Sequence, residues 1–466
     1  VPGLIDAHGH PLLHARSLLE VRLDGAGSGQ ECADRVARYA ATLPDGAWIR
    51  GSGWDQNLWP GRAFPRAALL DAATQGHPAA LARVDVHALW CNRQALQAAG
   101  IGPATPDPPG GRILKEADGT PSGVLIDTAM DLVRRAIPGP GPRETEEMLV
   151  RSLRALASVG LTAVHDASAG PELLAAYARL AERDELPVRV YAMIDAPRAL
   201  LADQMRAFRE RPSVGLLSVR AVKLFADGAL GSRGAAMFEP YADDPGNTGL
   251  WLMDPRELEE RIAEVAAAGY QPCVHCIGDR ACAVVLEAFA KVPRALRPRA
   301  EHLQILRPRD VPLLKRSGAI ASMQPTHATS DGRWAEERLG KGTERQRGAY
   351  AWRQALDAGA PLAFGSDFPV EGIDPREGLR AAIGRRVGDG AWMPEQRLRR
   401  DEALHAFTAG GAFAEFAEGR RGCIREGFDA DLTVFGRDVM TVHVDELPQV
   451  PVAATVVQGR VVFAGD

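Results

Sequence analysis

Residues 1–10 read VPGLIDAHGH, a short apolar run that closes on an acid and leads at once into His8, Gly9 and His10. Residues two apart on an extended chain project to the same side, so imidazoles at this spacing can chelate one ion, and paired nitrogen donors suit zinc. A pair of surface histidines in a turn is the alternative. Their place directly after an apolar strand favours the metal. Residues 1–6 are therefore expected to be a buried strand whose C-terminal end carries chemistry.

Outward from this stretch, similar apolar runs recur at residues 162–166, 188–194, 219–225, 271–275, 300–302, 319–323 and 361–365. Stretches rich in Ala, Leu, Glu and Arg with helical period follow them, such as residues 257–268 and 280–290. Eight such units predict an α/β fold, a closed (β/α)8 barrel of TIM type, in which functional groups collect at the C-terminal strand ends. An open doubly wound sheet is the rival, but no Gly-x-Gly-x-x-Gly fingerprint follows an early strand. The barrel is expected over residues 1–418. A long insertion at about 25–140 separates its first two strands; it has a hairpin signal at Asp118-Gly119 and is expected to cap the barrel mouth. From Gly419 the chain turns to short β-rich runs at 431–435, 454–458 and 461–464, with a turn at Gly459-Arg460. Residues 419–466 are expected to be the C-terminal part of a small β-sandwich.

A chain of 466 residues has room for a large catalytic domain with an accessory piece, and 46% hydrophobic with 25% charged residues excludes a disordered or fibrous class. No apolar stretch approaches the roughly 18 to 20 residues a transmembrane helix needs, and no signal-peptide layout opens the chain. A cytoplasmic protein without a membrane partner is the expectation. The net charge of −5 gives no general attraction for nucleic acid, and the arginine cluster from Arg294 to Arg309 reads as a solvated face. The six dispersed cysteines fit a reducing compartment rather than a disulfide scaffold.

Three later strands each end in a further ligand-type residue: His275 in QPCVHCIGD, His302 in RAEHL and Asp367 in LAFGSDFP. Each alone is weak evidence; successive strand ends bring them together around the barrel axis. Lys223 lies inside the apolar strand of VRAVKLFADGALGSR, where a charged amine is costly. Only five of the 55 cationic residues are lysine, so lysine here looks chosen for its chemistry: unlike guanidinium, it can lose its proton when buried and react. With carbon dioxide it would give N6-carboxylysine, a carbamate able to bridge two metals. A buried lysine paired with Asp227 or Asp166 is the equal alternative. His87, Asp227, Ser232, Arg233, Gln324 and His327 stand near the expected barrel mouth as candidates for orienting a small-molecule substrate, with ordinary loop hydrogen bonds as the competing reading. Cys273 and Cys276 lack the second pair a structural zinc site needs and read as core. His165-Asp166 lacks a serine elbow and reads as structural. Trp54 and Trp59 are candidates for a pocket wall, with core packing the more frequent fate.

The stretches PGLIDAHGH, VDVHALWCNRQAL, VKLFADGALGSRGA, VHCIGDRA, EHLQIL, SMQPTHATSD, FGSDFPVE and GFDADLTVFGRD run through essentially the whole chain. Together they closely resemble the amidohydrolase superfamily, in the branch of YtcJ-like proteins and N-substituted formamide deformylases. The resemblance implies a barrel flanked by a β-sandwich, one or two divalent ions with zinc foremost, and often a homodimer. It implies His8 and His10 on a first metal, Lys223 as the carbamylated bridge, His275 and His302 on a second metal, and Asp367 as ligand and base. Such proteins usually carry some tens of residues ahead of the PGLIDAHGH strand, so an incomplete sandwich is expected. The expected function is hydrolysis of an amide-like C–N bond in an N-acyl or N-formyl compound. Ester, lactone or phosphoester hydrolysis at the same centre, and a non-catalytic metal-binding regulatory protein, are the rivals.

Overall fold

A computed structural model of the chain describes residues 1–83, 88–108 and 111–465. Eight strands, β1 (Leu4–Gly9), β2 (Leu161–Ala169), β3 (Arg189–Ile194), β4 (Leu217–Phe225), β5 (Gln271–Cys276), β6 (Arg299–His302), β7 (Ile320–Met323) and β8 (Leu362–Phe364), pair in that order, each parallel to the next. Main-chain bonds from the segment just after β8 join it to the end of β1: Asp367 N donates to His8 O at 2.7 Å and His10 N to Phe368 O at 2.9 Å. This is the (β/α)8 barrel that the repeated strand–helix pattern predicts. Its strands are buried on both faces, hence their apolar runs.

The intervening helices bury one stripe each. Pro255–Ala267 is capped by Asp254, whose side chain accepts from Arg256 N, starts with proline in its first turn and buries Leu258, Ile262 and Val265 at helical spacing. Within this unit one hydrophobic core surrounds the barrel strands, while the barrel interior carries small and polar residues, including Ala167, Ala221, His165, Arg299 and Glu301. That polarity is what lets charged groups reach the strand ends from inside.

The first strand runs three residues later than residues 1–6. Residues 1–3 are drawn instead to the C-terminal segment: Gly3 N donates to Asp431 O, Thr433 N to Val1 O, and Pro2 bridges Leu432. There Leu432–Phe435, Val452–Val457 and Arg460–Ala464 form a three-stranded antiparallel sheet. Its hairpin turns at Gln458 and Gly459, both with positive φ, as a two-residue primed turn requires.

Ala15–Gly141 forms a unit of its own. It holds a six-stranded mixed sheet in which Gly111–Lys115 and Pro121–Asp127 form the hairpin expected at Asp118-Gly119. Trp54, Trp59 and Trp90 pack together in its core, and the Trp54 and Trp59 indoles donate to Leu81 O and Ala26 O; both are packing residues. Cys273 and Cys276 are buried and free. Among the described residues no helix is long and apolar enough to cross a membrane.

Gly9 shows how tightly the end of β1 is fitted. A Cβ there would lie 2.2 Å from the ring of Phe368, which is fully buried next to Asp367. Overpacking of this kind costs about 1–3 kcal/mol. Gly9→Ala is therefore expected to lower the apparent Tm by the equivalent amount, and a thermal melt indistinguishable from the parent protein would count against this fit.

Candidate metal centre

The C-terminal ends of β1, β4, β5, β6 and β8, with the segment after β7, deliver His8, His10, Lys223, His275, His302, His327 and Asp367 to the wall of one cavity of about 460 Å³. Asp367 is central. Its Oδ1 lies 3.0 Å from His10 Nε2 and 3.6 Å from His8 Nε2, and its Oδ2 lies 3.7 Å from His327 Nε2. The His302 ring stands 4.7 Å from that of His8 and 4.6 Å from that of His275, centre to centre. Donor atoms of His8, His10 and Asp367 fall within 4.8 Å of one another, and so do those of His302, His327 and Asp367. His302 and Asp367 both hold positive φ (70° and 60°), a backbone strain that tends to persist where the surroundings over-determine a side chain's aim.

A buried network fixes the first histidine. His8 Nδ1 donates to Glu301 Oε2 at 2.6 Å; Glu301 also accepts from Arg299 Nε at 2.7 Å and from Ser322 Oγ at 2.6 Å. Arg299 in turn donates to Ala7 O and to His165 Nδ1. With its proton committed to Glu301, His8 presents the lone pair of Nε2 to the cavity, as a carboxylate-supported metal ligand does. Burial raises the Glu301 carboxyl, but Arg299 and the His8 hydrogen bond outweigh it and hold it well below the usual carboxylate range. Burial, reinforced by Lys223, brings His8 down to about 4 and His275 down to about 3, so both rings are neutral and ligand-competent at neutral pH. Burial also lowers Lys223, against the pull of Glu301 and Asp367.

The fit to a divalent cation rests on unpaired donors. His8 Nε2, His275 Nε2 and His327 Nε2 are all buried without a hydrogen-bond partner. Leaving a buried polar atom unmatched costs about 1–3 kcal/mol, and His8 Nε2 and His327 Nε2, one near each oxygen of the Asp367 carboxylate in the cavity wall, make a site for positive charge.

The remaining sequence candidates separate. Gln324 Oε1 accepts from His302 Nδ1 at 2.8 Å and orients that ring. Asp227 is fully buried and accepts from Ala236 N, Ile277 N and Gly278 N, tying the loop after β4 to the end of β5, with His275 Nε2 3.7 Å away. Ser232 is exposed and bonds Ala229 O, and Arg233 pairs with Asp243 at 2.7 Å; neither lines the cavity. His87 lies outside the described residues. His165 and Asp166 are held by Arg299 and Tyr177, a structural role. Glu301, Arg299 and Ser322 are the site residues that sequence reasoning passed over. Their signal was the alternation of Arg and Glu inside the buried strand of RAEHL, where charges need partners.

A model of the amidohydrolase family matches residues 1–463. The protein YtcJ of Bacillus subtilis strain 168 is 32% identical over 476 residues, covering 99% of this chain and 88% of its own. This chain belongs to the amidohydrolase family. The N-substituted formamide deformylase of Arthrobacter pascens is 26% identical, over 98% of this amidohydrolase and 87% of its own length. Among solved structures, a metal-dependent hydrolase of Pyrococcus horikoshii OT3 superposes with a TM-score of 0.81 at 26% identity, covering 95% of this chain and 87% of its own. The amidohydrolase is accordingly a hydrolase on a TIM barrel, and its candidate metal-binding residues gather where that fold puts chemistry.

Proposed function

We propose that this amidohydrolase cleaves an amide-like C–N bond in N-acyl or N-formyl compounds, using one or two divalent ions, zinc foremost. His8, His10, His275, His302 and Asp367 would hold the ions, with Lys223 as a carbamate between them. The observation that carries the reading is the convergence of unpartnered, buried imidazole nitrogens on the two oxygens of Asp367 at one cavity. Bound ions would supply a Lewis acid for the substrate carbonyl and bring the pKa of water to about 7.

The protein's own groups do the rest. Asp367, a carboxylate at neutral pH, takes a proton from the attacking water as the C–O bond forms, then passes it to the leaving nitrogen as the C–N bond breaks, releasing an acid and an amine. Carbamylation of Lys223 joins its Nζ to the carbon of carbon dioxide with release of one proton. Leu230, Trp334, Phe225 and Val370 give the cavity an apolar wall, which suits an alkyl or aryl substituent on the amide nitrogen. The similarity to the formamide deformylase supports the same substrate class.

Metal content and a substrate panel test this together. Protein purified without chelator is expected to hold one to two equivalents of zinc or a similar ion, and removal by a chelator should abolish hydrolysis until metal is restored. N-formyl and N-acyl amines with apolar substituents should outpace matched esters and phosphotriesters in kcat/KM. Faster turnover of the esters or phosphotriesters would move the assignment to those bonds; metal without turnover on the whole panel would sink the enzymatic reading.

A further inference from the structure

We infer that His327 is itself a metal ligand, and that with His302 and Asp367 it holds a divalent ion. The inference rests on the metal-dependent reading above and adds a donor to it.

The geometry around Asp367 divides by oxygen. Oδ1 faces His10 at 3.0 Å and His8 at 3.6 Å, whereas Oδ2 faces His327 at 3.7 Å. A carboxylate whose two oxygens address two separate sets of imidazoles has the layout of a bridge between two ions. The second set is complete in itself: donor atoms of His302, His327 and Asp367 lie within 4.8 Å of one another, and all three residues are more than nine-tenths buried. The hydrogen bond from His302 Nδ1 to Gln324 Oε1 commits that nitrogen's proton, so His302 offers Nε2. His327 Nε2 is buried, has no hydrogen-bond partner and points at the Asp367 carboxylate.

Its backbone is fixed as well. His327 lies in the first turn of the helix Pro325–Asp331, its amide bonded to Gln324 O, so Gln324 and His327 arrive from one short segment as the support of one ligand and as a ligand. Two histidines and a carboxylate are a sufficient protein set for zinc, the remaining position being left to solvent or substrate.

The test is zinc binding, read independently of activity. Apoprotein titrated with zinc against a competing chelator should take up two equivalents. His327→Ala should keep one and bind the second at least about 100-fold more weakly, since loss of a mere outer support already costs 10–100-fold. In crystals of the zinc-loaded wild-type protein, His327 Nε2 should sit about 2.0–2.1 Å from an ion, a readout that needs no variant to fold. An ion separated from His327 Nε2 by more than about 3 Å, or two equivalents of undiminished affinity in His327→Ala, would overturn the inference while leaving the metal-dependent reading intact. No zinc uptake by the wild-type protein would overturn both.

Discussion

Asp367→Asn is expected to reduce kcat by at least about 1,000-fold, within the range that positioned acid–base groups contribute, while the protein stays folded. The side chain keeps its shape and one carbonyl oxygen but loses the charge and the ability to carry a proton. Burial raises the Asp367 carboxyl; the hydrogen bond to His10 and the neighbouring His8, His302 and His327 outweigh it and hold it well below the usual carboxylate range. In the native protein it is therefore the carboxylate that faces the cavity. Asparagine also tolerates the positive φ of 60° at this position, so the backbone between β8 and β1 has no reason to move. Turnover, metal content and Tm measured on the same preparation separate the possibilities. Lost turnover with metal and Tm retained assigns the proton transfer to Asp367. Lost turnover together with lost metal makes it chiefly a ligand, and retention of most kcat removes it from the mechanism.

The residues that were legible beforehand are those whose meaning is local. Eight apolar runs with helical stretches between them specify a barrel because each run need only be buried, and His8, His10, His275, His302 and Asp367 could be singled out because a strand end is a position along the sequence. What escaped depends on distant partners. The start of β1 moved because residues 1–3 bond to residues 431–433, more than 400 positions away. Asp227 looked like a mouth residue, yet the amides it accepts from include those of Ile277 and Gly278 in another loop. Arg233 stood as a candidate for orienting substrate, but Asp243 holds its guanidinium. Glu301 was visible as a charge in an apolar strand. Its partners His8 and Arg299 are 293 and two residues away, and only the fold shows that one side chain serves both.

Glu301→Ala is expected to cause the largest loss of stability of any substitution around the centre. Arg299 and Glu301 are both fully buried, and removing one member of such a pair leaves an uncompensated charge at a cost of about 3–5 kcal/mol. That is a large part of the 5–15 kcal/mol by which proteins are typically stable, so much of the variant should be unfolded or proteolysed at 37 °C. Two readouts keep the electrostatic and metal-supporting roles apart. Arg299→Met combined with Glu301→Leu removes both charges and should recover part of the stability that Glu301→Ala loses, because a buried pair replaced by apolar groups is often close to neutral. The same double variant still lacks the acceptor for His8 Nδ1, so its zinc affinity should stay about 10–100-fold below the parent protein even where its fold returns. Glu301→Ala with parental stability would show that water or another group compensates Arg299. Parental zinc affinity in the double variant would show that His8 holds its aim without the carboxylate, and that the short bond between His8 and Glu301 serves the fold alone.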